Sequence, residues 1–165
     1  VMQIDLGAFG GSALTDASIA VPEAGASGPA IPVTYVPARN TIFLALALAW
    51  AEVLHAHDIF IGVNAVDYSG YPDCRPEFIQ EARSAIYWAT DKKVTLKAPF
   101  LTINKTSIIE LGLKLKVPYE KTRTCYKPQA ISCGKCGSCQ ERLEAFKNNG
   151  IEDPLEYESR EILPK

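Results

Sequence analysis

The stretch TCYKPQAISCGKCGSCQ, residues 124–140, holds four of the five cysteines of this chain. Two Cys-x-x-Cys pairs within it share their middle cysteine, and a glycine follows two of the cysteines. Four thiolates at this spacing can converge on one tetrahedral Zn²⁺, while the glycines let the backbone turn tightly around it. The sequence therefore predicts a structural zinc site with the ligands Cys125, Cys133, Cys136 and Cys139.

Two other uses of these cysteines stay open at this point, a disulfide knot and a redox-active Cys-x-x-Cys pair. The sequence has no secretory features, which favours reduced, metal-binding thiols. A metal ion with four protein ligands has no free coordination position for water or substrate. We therefore expect the site to stabilise the chain and the chemistry to lie elsewhere.

The composition is that of a globular domain, with 165 residues, of which 47 % are hydrophobic and 22 % charged. The net charge of −2 disfavours strong electrostatic binding to nucleic acids. The most apolar run, residues 42–51, is followed by Glu52 and is too short to cross a bilayer. Because no signal or transit peptide is recognisable, we expect a cytoplasmic protein without a membrane partner.

Helical and strand patterns alternate along residues 1–165 and predict a single α/β domain. Helices are expected at about 40–56 and 76–90, from 102–105 to 114–116, and within 138–150; strands are expected at 58–63 and 94–100. Asn40 or Thr41 should cap the first helix, and Gly150 should follow the last. The first strand should be buried on both faces of a parallel sheet, in which ligands bind beyond the carboxyl ends of the strands.

Both ends of the chain are expected to be irregular. Residues 1–38 are rich in Gly, Ala and Pro and predict a loop over a cleft, and the polar tail 152–165 is expected to fray. A compact domain seldom begins with such a long loop, so we expect that preceding elements are absent from this chain.

The loop NAVDYSGYPDCRPEF, residues 64–78, follows the first predicted strand. It combines aromatic faces, two carboxylates and a guanidinium on a turn rich in Gly and Pro, which suits a planar, hydrogen-bonding heterocycle. An alternative is that its tyrosines simply cover the core. The candidate substrate-binding residues are Asp67, Tyr68, Tyr71, Asp73, Arg75 and Phe78.

Two basic side chains stand near predicted helix starts, Arg39 and Lys105. A guanidinium or ammonium beside the free amides of a helix N-terminus forms an anion site, so both are candidates for binding phosphate. Ordinary surface positions would explain them equally well.

Several motifs in this order along the chain resemble the 7-cyano-7-deazaguanine synthase family, ligases of queuosine biosynthesis. They are GGSALTD at 10–16, VPARN at 36–40, GVNAVDYSGYPDCRPEF at 62–78, PF and NKT within 99–106, and TCY with CGKCGSC within 124–139. The Asp-Tyr-Ser-Gly-Tyr-Pro-Asp-Cys-Arg run is the most specific of them. The resemblance extends over nearly the whole chain.

The resemblance implies a Rossmann-like sheet of the adenine nucleotide alpha-hydrolase type and an ATP-dependent carbon–nitrogen ligase. The family's reaction uses ATP, with Mg²⁺, and ammonia to convert 7-carboxy-7-deazaguanine into 7-cyano-7-deazaguanine, a precursor for tRNA modification. Adenylation of the carboxylate is followed by an amide and a second activation. One structural zinc ion per subunit and a homodimer are also implied.

On this resemblance, Arg39 and Lys105 are the expected catalytic residues, because carboxylate activation needs cations around the phosphates. The aromatic residues would form a flat slot for the deazaguanine, with Asp67 or Asp73 facing its donor edge. Arg75 could hold the substrate carboxylate. The route requires no protein nucleophile, so Cys74 is expected to be a packed or substrate-lining thiol.

Two features depart from the family pattern. The family's ATP-binding loop, Ser-Gly-Gly-x-Asp-Ser, is absent, so we expect a domain that lacks its N-terminal ATP-loop portion, has a zinc-binding subregion at 121–150, and is inactive alone. Ala38 stands where the pattern has Gly; alanine tolerates a positive φ poorly, so either the backbone is ordinary there or the member is divergent.

Two further functions are compatible with these features. A related enzyme could adenylate another carboxylate, such as a protein C-terminus. A zinc-stapled module without catalysis could bind a partner such as RNA, although no basic stripe supports it.

Overall fold

The computed structural model describes residues 3–26, 31–67, 70–91 and 93–163. Its helices and strands follow the predicted order. The elements are α1 (Arg39–Leu54), β1 (Asp58–Phe60), α2 (Pro76–Ala89), β2 (Thr95–Lys97), α3 (Lys105–Lys114) and α4 (Gly137–Asn148). Short 3₁₀ turns occur at Gly7–Phe9, Pro72–Cys74 and Tyr119–Lys121. The predicted α/β class is confirmed, and both strands are shorter than expected.

Within the described residues, β1 and β2 form a two-stranded parallel sheet in which Ile59 pairs with Leu96. These two side chains are buried on one face, under α1 and α2, where Leu44 and Ile86 complete the main core cluster. Two adjacent helices on a parallel sheet thus bury a continuous apolar layer.

The other face of the sheet is exposed, and Phe60 is 66 % exposed there. Lys97 lies on the same face, 2.6 Å from the Asp58 carboxylate and over the ring of Phe60. The prediction of a strand buried on both faces is therefore wrong for the described residues, because no described element covers this side.

The two edges of the sheet differ. Thr95 N–H donates to His57 O, and Ile61 N–H donates to Lys97 O, both at 2.9 Å, so these residues direct their backbone groups across the ladder. Because directions alternate along a strand, the backbone groups of Leu96 point away from β1. Arg83 Nε donates to that outward Leu96 carbonyl at 3.2 Å.

Of the two expectations for the helix termini, the cap of the first helix is wrong and the glycine after the last helix is confirmed. Residue Ala38, with a left-handed φ of 53°, precedes α1, so neither Asn40 nor Thr41 is its cap. Asn104 caps α3 by accepting a hydrogen bond from Ser107 N–H at 2.9 Å. Gly150, with φ 69°, follows α4, and its N–H donates to Lys147 O.

The C-terminal tail is ordered against α4 and the cysteine segment, so the expected fraying is wrong for its described part. Ser132 and Tyr157 form a parallel bridge. Gln140 on α4 donates to Glu161 O at 2.8 Å and accepts from Leu163 N–H at 2.7 Å. A buried glutamine amide thus fixes the tail through both of its polar atoms.

The N-terminal segment also reaches the cysteine segment. Glu23 and Cys136 form an antiparallel bridge, and Ala24 N–H donates to Lys135 O at 2.8 Å. Further along, Ala13 N–H donates to Val33 O, which holds the two described parts of this segment together. Within the described ranges, no helix is long and apolar enough to cross a membrane.

Candidate functional site

The four cysteines of the 124–140 stretch form one cluster, in which all four sulfur atoms lie within 4.8 Å of one another. Cys133, Cys136 and Cys139 are buried, and Cys125 is partly exposed. Cys133 and Cys136 N–H groups point at Cys125 Sγ and Cys133 Sγ, both at 3.4 Å. Such amide contacts favour thiolates, so the cluster can hold a metal ion.

Local backbone geometry brings these sulfurs together. Gly134 has a φ of 73°, and a Cβ there would lie 1.7 Å from Ser159 O, so no larger residue fits between the cysteine turn and the tail. Cys139 lies in the first turn of α4, so the start of this helix carries the last of the four sulfurs. Hydrogen bonds from the Cys139 thiol and from backbone N–H groups lower the pKa of Cys136.

The loop after β1 lies beside the loop after β2. Ala65 N–H donates to Ile103 O at 3.0 Å, which joins them beyond the carboxyl ends of the strands. Asp67 accepts hydrogen bonds from Asn64, at 3.2 Å from its N–H and 2.7 Å from Nδ2. These bonds orient the Asp67 carboxylate. The neighbouring candidate Tyr68 lies outside the described residues.

Asp73 is directed into the interior and is 4 % exposed. Its Oδ2 accepts from Asn40 N–H at 2.9 Å in the first turn of α1, so it supplies the helix-capping acceptor that Ala38 lacks. Asn40 Nδ2 in turn donates to Asp73 O at 2.9 Å and contacts Cys74 Sγ at 3.3 Å. This exchange fixes the loop to the start of α1.

Cys74 is 2 % exposed. Burial, together with the nearby carboxylates of Asp73 and Asp67, raises the pKa of its thiol to about 12, although the Arg39 guanidinium acts in the opposite direction. The thiol is therefore protonated at neutral pH and packs as a small apolar group.

The remaining candidates near this loop, Phe78, Arg75 and Arg39, lie in different surroundings. Phe78 is partly buried and packs against two core clusters, including Ile79 and Ile86. Arg75 is exposed and immediately precedes α2. Arg39 is half-buried in the first turn of α1, beside Cys74. Phe78 therefore contributes mainly to the core, whereas both guanidiniums remain accessible.

A cavity of about 650 Å³ lies where the loops after the two strands meet α4 and the tail. Its lining includes Val66, Lys105, Gln140 and Glu141. Lys105 Nζ lies 3.6 Å from the Glu141 carboxylate. The pKa of Glu141 is raised, mainly by burial, although the charge of Lys105 acts in the opposite direction; the charge of Asp67 adds to the rise. The cavity thus has an amino group and carboxylates at the edge of the sheet where ligands bind in open α/β folds.

Tyr71 connects this loop with two distant segments. Its hydroxyl lies 2.8 Å from Thr34 Oγ1 and 3.3 Å from the Tyr126 hydroxyl. Tyr126 directly follows the metal-ligand candidate Cys125 and packs on the cysteine cluster. Burial, the Tyr71 hydroxyl and the carboxylates of Glu141 and Asp67 raise the pKa of Tyr126.

Thr34, Tyr126 and Glu141 were not among the residues predicted for the site, and Asn40 was predicted only as a helix cap. The position of Tyr126 directly after a cysteine was a local signal for it. For Thr34 and Asn40 no local signal exists, because their partners lie more than 30 residues away along the chain.

Comparison with known proteins supports the resemblance. The family model for queuosine biosynthesis protein QueC matches residues 1–150. The chain is 54 % identical to a 7-cyano-7-deazaguanine synthase of Pseudomonas syringae pv. tomato, over 95 % of this chain and 72 % of the relative. With the same coverage, it is 56 % identical to the synthase of Thiobacillus denitrificans and 52 % identical to that of Cellvibrio japonicus.

The residues matched by the family model include the loop 64–78, Lys105 and Glu141 of the cavity, and the cysteine cluster, so the match concerns the site as well as the fold. An identity above 50 % over 95 % of the chain is far beyond what a shared fold alone would produce. The chain belongs to the family of queuosine biosynthesis protein QueC.

Proposed function

We propose that this chain contributes to an ATP-dependent ligase that converts 7-carboxy-7-deazaguanine and ammonia into 7-cyano-7-deazaguanine. The observation that carries the proposal is the identity of 54 % to a relative named 7-cyano-7-deazaguanine synthase, over 95 % of this chain. A reaction of this class joins nitrogen to an activated carboxylate, so it needs a site for the heterocycle and cations for the phosphates of ATP.

We place the substrate in the cavity beside the loop 64–78, with Lys105 and Arg39 as the groups that neutralise phosphate charge during adenylation. Lys105 lines this cavity. Arg39 is not among the described lining residues; it is half-buried in the first turn of α1 and would have to reach the phosphates from beside the loop 64–78. Mg²⁺ is expected to accompany ATP. An ammonium group near transferring phosphate stabilises the charge that develops in the transition state.

For the heterocycle we propose Asp67 as the carboxylate that accepts hydrogen bonds from its donor edge. Tyr71 and Tyr68, the latter outside the described residues, are the proposed aromatic contacts. The burial of Asp73 and its bonds to Asn40 favour a supporting role, in which Asp73 fixes the loop. Arg75 is exposed and can hold the substrate carboxylate until adenylation removes its charge. Phe78 contributes an apolar base to the loop.

For the cysteine cluster we propose one structural Zn²⁺ per chain, since four sulfurs within 4.8 Å suit its tetrahedral preference. Changing Cys136→Ser should remove the metal and unfold the C-terminal part, because the binding energy of such a site, ~10–16 kcal/mol in small zinc-binding peptides, is folding energy. Cys74→Ala, at the buried cysteine outside the cluster, is the matched control and should keep the metal. Metal content and melting temperature distinguish the two.

The assembled enzyme is proposed to be a cytoplasmic homodimer that acts on small molecules. Its oligomeric state follows from light scattering at several concentrations; a monomer at every concentration would remove this part of the proposal and leave the reaction untouched.

The reaction itself is tested with protein produced from the entire open reading frame, supplied with 7-carboxy-7-deazaguanine, ammonium and Mg-ATP. Mass spectrometry should detect the nitrile. Lys105→Ala should lower the rate about 10²-fold or more. Lys114→Ala is the control, since Lys114 is exposed on the same helix and pairs with Glu110. If folded, metal-loaded protein forms no nitrile but adenylates another carboxylate, the proposed substrate is wrong.

A further inference from the structure

The Tyr71 hydroxyl is held by two hydroxyls that come from opposite ends of the chain. Thr34 precedes it by 37 residues, and Tyr126 follows it by 55. Thr34 is 6 % exposed, so its hydroxyl has little access to water and depends on this contact. A phenol that donates to one neighbour and accepts from the other is fixed in both position and rotation.

Tyr126, unlike an ordinary loop tyrosine, is itself fixed by the metal-binding segment. Its ring packs on the cysteine cluster, and its backbone directly follows Cys125. Movement of the cysteines would therefore move Tyr126, and through the 3.3 Å contact would affect Tyr71.

The segment that contains Thr34 connects Tyr71 with the start of α1. The ring of the adjacent Tyr35 lies 6.2 Å from that of Tyr71, and the Tyr35 hydroxyl accepts from Ala38 N–H at 3.0 Å. Ala38 immediately precedes Arg39. One phenol, Tyr71, thus stands between the metal-binding segment and the segment that presents Arg39.

We propose that Thr34 and Tyr126 are positioning residues for the substrate, which act by orienting Tyr71, and that Tyr126 links the metal-binding segment to the substrate loop. This inference rests on the proposed function and extends it, because it gives the cysteine cluster a second task besides stabilising the fold. Neither residue needs to contact the substrate. Their effect is expected in substrate affinity.

Two tyrosines on the same cluster provide the test, Tyr126→Phe and Tyr157→Phe. Both rings pack on the cysteines, but the Tyr157 hydroxyl donates to Asp153 at 2.7 Å. Each variant removes one hydroxyl and keeps the ring. Binding of 7-carboxy-7-deazaguanine is measured by calorimetry, together with KM, kcat, metal content and melting temperature, in protein from the entire open reading frame.

We expect Tyr126→Phe to weaken binding and raise KM about fivefold, the effect of one hydrogen bond, with kcat and metal content little changed. Thr34→Val should act in the same direction. Tyr157→Phe should leave KM within about twofold and instead lower the melting temperature by roughly 2–4 °C. Combining Tyr126→Phe with Tyr71→Phe should give less than the product of the single effects, because both act through one phenol.

Equal KM values for Tyr126→Phe, Thr34→Val and the unchanged protein would overturn the inference, provided that the unchanged protein binds the substrate. If the unchanged protein neither binds nor converts 7-carboxy-7-deazaguanine, the proposed function fails first. If Tyr126→Phe loses metal to the same extent as affinity, Tyr126 belongs to the metal site and the positioning role is refuted.

Discussion

Arg142 and Asp153 form a bidentate ion pair in the interior, with Nε–Oδ2 at 2.6 Å and Nη2–Oδ1 at 2.9 Å. Both residues are 2 % exposed. Arg142 also donates to Thr122 Oγ1 at 2.7 Å and to Tyr119 O at 3.1 Å, and Tyr157 donates to the carboxylate. One guanidinium therefore joins α4, the turn before the cysteine segment and the tail.

Asp153→Asn should lower the free energy of unfolding by about 3–5 kcal/mol, because it leaves a buried guanidinium without its counter-charge. Glu110→Gln is the matched control, since Glu110 and Lys114 form an exposed i,i+4 pair; it should cost less than about 0.5 kcal/mol. Denaturant unfolding measures both. Similar losses of unfolding free energy in the two variants would show that the buried Arg142–Asp153 pair is no more important for stability than an exposed ion pair.

The same pair should make stability depend on pH. Burial alone would raise the pKa of Asp153, but hydrogen bonds from Arg142, Tyr157 and Leu155 N–H outweigh it and lower the pKa. Because the folded-state pKa lies below the unfolded-state value of about 3.9, the contribution is complete above that value and is lost as the pH falls through the folded-state pKa. The stability difference between wild type and Asp153→Asn should therefore shrink below about pH 4.

Gly134→Ala should destabilise the protein, whereas Gly137→Ala should not, although both glycines lie between cysteines. At Gly134 a Cβ would meet Ser159 O at 1.7 Å and the φ is 73°, so alanine should cost more than about 2 kcal/mol. At Gly137, in the first turn of α4, a Cβ meets nothing within 4 Å, and alanine should be neutral or stabilise by up to about 1 kcal/mol. Melting temperatures in the metal-loaded state check this.

Ala38→Gly should stabilise the protein by about 0.5–1 kcal/mol. The left-handed φ of 53° costs alanine roughly 1–2 kcal/mol, and glycine avoids this cost. Part of the gain is lost because glycine has more conformational entropy in the unfolded chain. The same change at Ala49, an exposed position inside α1, should instead cost up to about 1 kcal/mol. Changes in stability of opposite sign at the two positions would distinguish backbone strain at Ala38 from a general effect of glycine. A loss of stability at both positions would refute the proposed strain at Ala38.

Cys74 should resist alkylation in the native protein. At pH 8 a thiol with a pKa of about 12 is ionised in roughly one molecule in 10⁴, and burial hinders access further. After chelation of bound metal, iodoacetamide should modify the cluster cysteines first, and Cys74 only on unfolding, as peptide mass spectrometry would show. Early modification of Cys74 would mean that the loop 64–78 opens readily.

Local patterns predicted the elements well because their causes are local. The capping side chain of Asn104, the glycine at 150 and the apolar spacing of α2 all act within a few residues. The four cysteines likewise stand within 15 residues of one another, so their convergence followed from spacing.

Features that depend on distant partners were missed. The tail looked polar and loose, but Asp153 and Tyr157 gain order from Arg142, a residue on another element. Asp73 resembled a ligand-facing carboxylate, and nothing nearby in sequence indicated that Asn40 would engage it. The exposure of Phe60 was missed for the same reason. Whether the second face of a strand is buried depends on an element that packs there, and the sequence of the strand does not specify that element.

The contact between Arg83 and the Leu96 carbonyl makes the two edges of the sheet unequal as sites for pairing with a further strand. With its outward acceptor occupied, β2 is a poor template for another strand, whereas the alternation of the ladder turns the backbone groups of Asp58 and Phe60 outward along β1. We therefore expect a strand that enlarges this sheet to pair with β1, on the edge next to Phe60.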